Sequence, residues 1–282
     1  MSETPSSEDA SPDRDADAQR RLVRERYADI AIDDGESSCC SDTAGSADAC
    51  CDDSMGTDSE RLGYAADDIE AVAGGADLGL GCGNPKAIAD LEAGETVLDL
   101  GSGAGFDCFL AAREVGDEGH VIGVDMTPEM VRKARANVAK NDATNVEFRL
   151  GEIEHLPVAD RSVDVVISNC VVNLSPAKAQ VFREAFRVLA PGGRLAISDV
   201  VLTASLPDAV REDPDSLAAC VAGASPIEAI ERMLNNAGFV DVHVAPKDDS
   251  AEFISEWDDE RDMSEYVVSA TIEARKPTAE RA

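Results

Sequence analysis

The sequence predicts an α/β protein, a mostly parallel sheet wound with helices on both faces, and three observations lead there. The stretch VLDLGSGAGFD, residues 97 to 107, runs an apolar strand straight into glycines at alternate positions, Gly101, Gly103 and Gly105, which open the helix FDCFLAAREVG. From there to about Val201, short apolar strands alternate with helical segments through short connections, as parallel strands joined by crossover helices do. An acidic residue, Asp125, closes the second strand, VIGV, about twenty residues beyond the glycines, where this class of fold places a ribose-binding carboxylate.

Taken in order, residues 1 to 18 combine low hydrophobicity, high charge, Ser and Pro, and are expected to be disordered. A short helix is expected from Asp17 to Ala31, with Val23, Tyr27 and Ile30 on one apolar face. The loop DDGESSCCSDTAGSADACCDDS then carries two vicinal pairs, Cys39 with Cys40 and Cys50 with Cys51, read as a mobile thiol arm or as solvated tail thiols. Residues 1–59 therefore form a cysteine-bearing low-complexity arm. A helix is expected around Ala65 to Ala73, followed by GGADLGLGCGNPKAI, where Cys82 stands between two glycines on irregular backbone and Asn84 and Pro85 start the helix KAIADLE.

Residues 60–201 form the main domain with this lead-in. Its units are the strand TVLDLG, the helix from Phe106, the strand VIGVD and the helix TPEMVRKARANVAKN, with Thr127 as N-cap and Pro128 at the first position. Next come the strand VEFRLGE, the strand SVDVVISN at 162 to 169, the helix SPAKAQVFREAFRVLA, a turn PGG at 191 to 193 and the strand GRLAISDVV. In residues 202–282, ASPIEAIERMLNNAGF is an amphipathic helix closed by Gly238, FVDVHVAP is a strand, and EYVVSATIEARK is a last, antiparallel strand.

Composition sets outer limits. The chain has 282 residues and a net charge of −32, and only six of its 25 basic residues are lysine. Carboxylates recur on nearly every polar loop, which suits a halophilic cytoplasm where salt screens the self-repulsion. Nucleic acid is disfavoured as a substrate, since phosphate contacts need basic patches and none is visible. No apolar run approaches the roughly 18 residues of a membrane span, and the N-terminus lacks a signal pattern, so a cytoplasmic location is expected. In that compartment the eight cysteines are expected to be mostly reduced, and to serve as ligands, redox groups or inert core before structural disulfides.

The ligand is read from the glycine loop. No P-loop lysine follows the glycines and no arginine lies among them, so a polyphosphate is not expected. S-adenosylmethionine fits: an adenosine without phosphate that ends in a sulfonium amino acid. An NAD-type reductase and a degenerate nucleotide fold are the competing readings. The fold class is thus a Rossmann-like class I methyltransferase sheet with one antiparallel strand near its edge and a small C-terminal α/β extension. Asp99, Gly101, Ser102, Gly103 and Gly105 form its cradle, Asp125 and Met126 the ribose end, and Glu152 and Ile153 the adenine end. Asn169 and Cys170, ending the fourth strand, face the reactive centre.

Methylation of DNA-base amines is disfavoured, because SNCVVNL holds a cysteine where such enzymes carry a proline-rich turn with an aromatic residue. His120, His155 and His243 are scattered over different elements and offer neither a metal site nor an evident base. Cys82, Cys170 and Cys220 lie on loops that this fold can bring together. Singly, each reads as a small buried apolar residue; beside a methyl-donor site, three thiolates suit a soft trivalent ion. Zinc would need closer CxxC spacing and a fourth ligand, and no permanent metal is expected. Cys108, inside a helix, reads as core packing.

The stretches LGLGCGNP, TVLDLGSGAGFDCFLA, VIGVDMTPEM, FRLGEIEHLPV, ISNCVVNLSP, VLAPGGRLAISD and CVAGA, over roughly residues 60 to 245, resemble the arsenite S-adenosylmethionine methyltransferase family. VRERYADIA followed by SSCC is similar to the N-terminus of its archaeal and bacterial members. The resemblance implies that arsenite, or its thiol conjugate, is held by Cys82, Cys170 and Cys220, and that the arsenic lone pair attacks the sulfonium methyl. It also implies that Cys39 or Cys40 joins a disulfide cascade reset by thioredoxin or glutathione, in the service of arsenic detoxification. A lone pair carries no proton, which agrees with the lack of a general base. The alternative function is sequestration of a soft metalloid on a methyltransferase scaffold.

Overall fold

The computed structural model describes residues 15–32, 58–73, 75–213, 216–217, 220–247, 250–257 and 261–278. Helix α1 (Ala16–Ile32) precedes three short helices, α2 (Asp58–Arg61), α3 (Ala66–Ala71) and α4 (Lys86–Ala89). The alternating units follow as β1 (Thr96–Leu100), α5 (Phe106–Val115), β2 (His120–Asp125), α6 (Pro128–Lys140), β3 (Val146–Leu150), β4 (Val163–Asn169), α7 (Lys178–Val188) and β5 (Leu189–Leu202). The rest is α8 (Asp208–Arg211), the two-residue β6 (Ser225–Pro226), α9 (Ile227–Ala237), β7 (Val240–Pro246), α10 (Ala251–Ile254) and β8 (Val267–Arg275).

One sheet runs β3-β2-β1-β4-β5-β8-β7, with β6 paired to β5. Strands β1 to β5 are parallel, and β8 lies antiparallel between β5 and β7. The C-terminal region therefore completes the sheet. Side chains alternate across it: Leu98, Leu100, Ile122 and Val124 pack with Phe182 of α7 and Leu234 of α9, while Val97, Val121, Val165 and Ile167 pack with Leu110 of α5 and Val131 of α6. Burial on both faces explains the near-continuous apolar strands in the sequence. The chain winds outward from β1 to β3 and then returns to β4, so a crevice opens between β1 and β4 at their carboxyl ends.

Three expectations change in detail. Pro191 to Gly193 do not form a free turn but a bulge inside the 14-residue β5, with Val163 pairing to Leu189 and Val165 to Arg194. Gly192 takes φ +88° there, and its N–H donates to the Lys276 carbonyl. Thr127 occupies the N-cap position of α6 without a capping side-chain bond, because its backbone N–H and its hydroxyl both serve the Asp125 carboxylate. Within the stretch expected as an N-terminal arm, α1 spans slightly more than the predicted helix and docks beside α6, where Lys133 Nζ donates to the Ala31 carbonyl at 3.2 Å. Cys39, Cys40, Cys50 and Cys51 lie outside the described residues. Among the described residues, no helix is long and apolar enough to cross a membrane.

A net charge of −32 on a chain this size makes screening a stability variable. Raising KCl from 0.1 M to 1 M shortens the Debye length from about 10 Å to about 3 Å. The thermal unfolding midpoint should rise by roughly 5 °C or more over that range, about 2 kcal/mol for a domain of this size. A flat or falling midpoint by calorimetry would contradict the salt-screened reading of the surface.

Candidate active site

The crevice at the carboxyl ends of β1 and β4 is an open cleft of about 1110 Å³ including its solvent-filled mouth. Asp99, Gly101, Ser102 and Gly103 line it after β1, Asp125 and Met126 after β2, Ile153 after β3, and Asn169 and Cys170 after β4. The loop is built to meet a ligand. Gly103 has φ +51°, and a Cβ placed on it would touch nothing within 4 Å, so it would project into the cleft. Gly103 N–H donates to Asp125 Oδ2 at 3.0 Å and Thr127 N–H to Oδ1 at 2.8 Å, which fixes that carboxylate at the mouth of β2. Ser102 Oγ is buried and has no hydrogen-bond partner among the described residues. An unpartnered hydroxyl, an anchored carboxylate and a glycine with free space above it fit an adenosyl amino acid.

Not every predicted cofactor residue comes to the cleft. Gly105 caps α5 at φ +100°, and a Cβ there would meet Phe148 and Phe109 at 2.7 and 2.8 Å, so its glycine serves packing. Glu152 is not a lining residue. Its carboxylate pairs with Arg20 at 3.5 Å and Arg24 at 3.4 Å on α1. Its neighbour Glu154 lines the cleft instead, 3% exposed, accepting from Ser175 Oγ at 2.6 Å and pairing with Arg20 at 3.4 Å. Arg20, Val23 and Tyr27 complete this wall, so α1 is part of the site. Gln19 Nε2 donates to the Leu174 carbonyl at 3.0 Å and adds a second anchor for the helix.

Tyr64 and Asp107, which sequence reasoning missed, line the opposite side. Tyr64 Oη donates to Asp107 Oδ1 at 2.6 Å. The Asn169 amide then joins this pair to the cysteine loop: Nδ2 donates to Tyr64 Oη at 3.0 Å and to the Gly83 carbonyl at 2.7 Å, while Oδ1 accepts from Cys82 N–H at 3.1 Å. The glycines flanking Cys82 now have a reason. A Cβ on Gly81 would stand 2.7 Å from the Asn169 amide, and one on Gly83 would stand 2.1 Å from Ser198 Oγ. Ser269 Oγ donates to the Cys82 carbonyl at 2.6 Å and holds the loop from β8.

The cleft is rich in buried acidic side chains. Burial pushes the Asp99 and Asp125 carboxyls up, with Asp107 raising Asp99 further and the N–H bonds of Thr127 and Gly103 holding Asp125 down. Burial pushes Asp107 up to about 6, against the pull of Tyr64 and Asn169. Carboxylates desolvated in this way are suited to a bound cation. Cys108, expected as inert packing, is fully buried but donates its thiol to Asp99 Oδ2 at 3.3 Å.

The three predicted sulfur residues do converge. Cys82, Cys170 and Cys220 are 1%, 7% and 3% exposed and share one buried cluster with Val23, Leu174 and Met263. The cysteines are expected to be mostly reduced, and among the described ones Cys82 and Cys170 are joined as a disulfide. Cys220 is free, and its thiol donates to the Cys170 carbonyl at 2.6 Å. Burial, then the Asp199 charge, pushes that thiol up, so it is protonated at neutral pH. Cys170 and Cys220 adopt φ +53° and +66°, a conformation that non-glycine residues rarely take and that clusters at functional sites. Asp199, another residue not foreseen, is buried with a carboxylate oxygen within 4.8 Å of both Cys82 and Cys170 sulfurs.

Comparison with known proteins meets this geometry. A model of the methyltransferase domain matches residues 91–238. The chain is 66% identical over 269 residues to an arsenite methyltransferase of Halobacterium salinarum, covering 94% of this chain and 68% of that protein. The chain belongs to the arsenite methyltransferase family. It is also 40% identical over 152 residues to the human arsenite methyltransferase, covering 51% of this chain and 40% of that one. A solved arsenic(III) S-adenosylmethionine methyltransferase from Chlamydomonas reinhardtii shares 34% identity and a TM-score of 0.61 over 80% of this chain and 75% of its own. This family member is thus an S-adenosylmethionine-dependent enzyme, with that donor as co-substrate.

The raised Asp107 value sets a pH dependence with a definite sign. Above about pH 6 the carboxylate is charged and favours the donor's cation; below it a proton occupies the site first. Donor affinity by calorimetry should fall about fourfold from pH 7.5 to pH 5.5 if only the ionised form binds. Asp107→Asn should weaken binding at pH 7.5 and flatten the profile; an undiminished pH dependence in that variant would assign it to another group.

Proposed function

We propose that the chain transfers the donor methyl to trivalent arsenic held by Cys82, Cys170 and Cys220. The observation that carries this reading is the sulfur cluster at the end of the donor cleft: Cys170 lines the cleft, is bonded to Cys82, and offers its carbonyl to the Cys220 thiol. Soft thiolates suit a soft trivalent ion. Once Cys82 and Cys170 are reduced, three thiols and arsenite give a neutral tris-thiolate and three waters, so the thiol protons leave with the arsenite hydroxyls. The arsenic lone pair then forms the arsenic–carbon bond as the methyl–sulfur bond breaks. Arsenic passes from the trivalent to the pentavalent state and the donor sulfonium becomes a neutral thioether.

Return to the trivalent state needs two electrons. Loss of two ligating thiolates as a disulfide supplies them, and the Cys82–Cys170 bond is the bond such a step leaves behind. A dithiol reductant of the thioredoxin or glutathione type then reopens the site. Cys39 and Cys40, seven and eight residues beyond the end of α1 in the sequence, are the thiols assigned to pass the disulfide outward. The biological role that follows is detoxification of arsenic in a cytoplasm of high salt. Catalysis rests on positioning the two reactants, which can supply on the order of 7 to 11 kcal/mol of the barrier.

The test is S-adenosylhomocysteine release in molar KCl with a thiol reductant, with and without arsenite. Arsenite-dependent release is expected, and Cys220→Ser should lower it at least about 10²-fold while leaving donor affinity within twofold. Arsenite bound without any release would favour sequestration, and full turnover by Cys220→Ser would remove that thiol from the site.

A further inference from the structure

Asp199 has no part in the chemistry so far, yet it is the carboxylate that the fold buries against the sulfurs. It stands near the end of β5, 1% exposed, with an oxygen within 4.8 Å of both the Cys82 and Cys170 sulfurs, and it faces Cys220 closely enough to disfavour that thiol's ionisation. Its bonds are to neutral donors: Asn173 Nδ2 at 2.8 Å, Asn173 N–H at 3.2 Å, Val200 N–H at 2.8 Å, and the Val172 N–H. The cation that attracts it, Lys178, directs its ammonium to the Gly223 carbonyl, and among the described residues Asp199 has no ion pair within 4 Å. Asp199 does not line the donor cleft, whereas Cys170 does. The carboxylate therefore reaches the sulfurs from outside the space the donor occupies.

A buried carboxylate whose hydrogen bonds come from neutral donors raises the energy of the resting fold, with the buried Lys178, which acts on both Asp199 and Cys220, offsetting part of that cost. Three explanations compete. Anchoring the turn at Asn173 uses both oxygens, Oδ1 accepting from Asn173 Nδ2 and Val200 N–H and Oδ2 from Asn173 N–H, but it gives no reason for setting that charge against the sulfurs. Taking protons from the thiols is unnecessary, because those protons leave as water with the arsenite hydroxyls, and a negative neighbour disfavours thiolates. What remains is the charge that appears during the reaction itself.

Resting on the function proposed above, we propose that Asp199 is the counter-charge to the arsenic, stabilising the positive charge it acquires as its lone pair becomes the arsenic–carbon bond. The neutral tris-thiolate takes CH3⁺ from the sulfonium and becomes a methylated tris-thiolate cation; the carbon–sulfur pair returns to the donor. Positive charge thus moves from the cleft to the sulfur cluster, toward a carboxylate fixed in advance within it. A preorganised charge in a water-poor site acts on the transition state far more than on the neutral bound arsenite.

The experiment compares wild type, Asp199→Asn and Asn173→Ala at pH 8 in molar KCl with reductant. Three quantities are read on the full chain: arsenite affinity by equilibrium dialysis, thermal midpoint, and single-turnover methylation of protein-bound arsenite at saturating donor. Asp199→Asn should bind arsenite as tightly as wild type or tighter, melt no lower than Asn173→Ala although its NH2 opposes one N–H donor, and methylate about 10²-fold more slowly. Asn173→Ala keeps the charge and should melt lower with a rate within a few-fold of wild type. An unchanged single-turnover rate in Asp199→Asn overturns the proposal while the wild-type reaction leaves the function standing. A lower midpoint and weaker arsenite binding in Asp199→Asn, matched by an equal rate loss in Asn173→Ala, assigns the carboxylate to anchoring the turn and also overturns it. Absence of arsenite-dependent methylation in wild type removes the function and this role together.

Discussion

The arrangement depends on one side chain, the amide of Asn169. It spends both of its ends on three partners: the Cys82 N–H, the Gly83 carbonyl and the Tyr64 hydroxyl. Through them the loop bearing Cys82, which precedes the sheet in sequence, is fastened to the carboxyl end of β4, where Cys170 begins. Glycine at 81 leaves room for the amide, and Tyr64 passes the connection to Asp107 in the donor cleft. The sulfur cluster and the methyl-donor cleft are therefore held by one short network. An apolar residue at 169 would leave a buried N–H and a buried carbonyl unpaired, at about 1 to 3 kcal/mol each.

Around this strut the protein keeps charge where burial makes it unfavourable. Asp99, Asp107, Asp125 and Glu154 line a cleft that takes a sulfonium and an ammonium group, and Asp199 lies against the sulfurs. Burial raises the Asp99, Asp107, Asp125 and Asp199 carboxyls, and under the proposed function a positively charged state of the reaction stabilises them. The α1 helix closes the same cleft with opposite charge, Arg20 meeting Glu152 and Glu154. The Arg24–Glu152 pair is partly exposed and the Arg20–Glu154 pair largely buried, and docking also rests on the buried Val23, 1% exposed, and on the side-chain-to-carbonyl bonds at the two ends of the helix.

Much of this was legible in the sequence where a residue type has few structural uses. Alternate glycines after an apolar strand, an acid closing the next strand, and uninterrupted apolar runs led to the parallel sheet and to the cleft residues Gly101, Gly103, Asp125 and Asn169. Gly105 was read for ligand contact because positive φ and tight packing against Phe148 ask for the same residue. The choice between Glu152 and Glu154 in GEIEHLP depended on arginines more than 120 positions earlier, which no local pattern shows. Tyr64, Asp107 and Asp199 carry no spacing signature, since each acquires its role from a partner distant in sequence. Three cysteines could be grouped by topology, but the bond between Cys82 and Cys170 is a redox state, and composition argued for the reduced one.

Under the proposed function, reduction of the Cys82–Cys170 disulfide creates a three-sulfur site for trivalent arsenic beside the methyl donor. X-ray absorption at the arsenic edge, on protein dialysed against arsenite with and without prior thiol reduction, measures this directly. With Cys39, Cys40, Cys50 and Cys51 replaced by serine, the oxidised sample should hold no protein-bound arsenic, and the reduced sample one arsenic with three sulfur neighbours. Arsenic bound before reduction in that variant, or arsenic surrounded by oxygen after it, would contradict the claim.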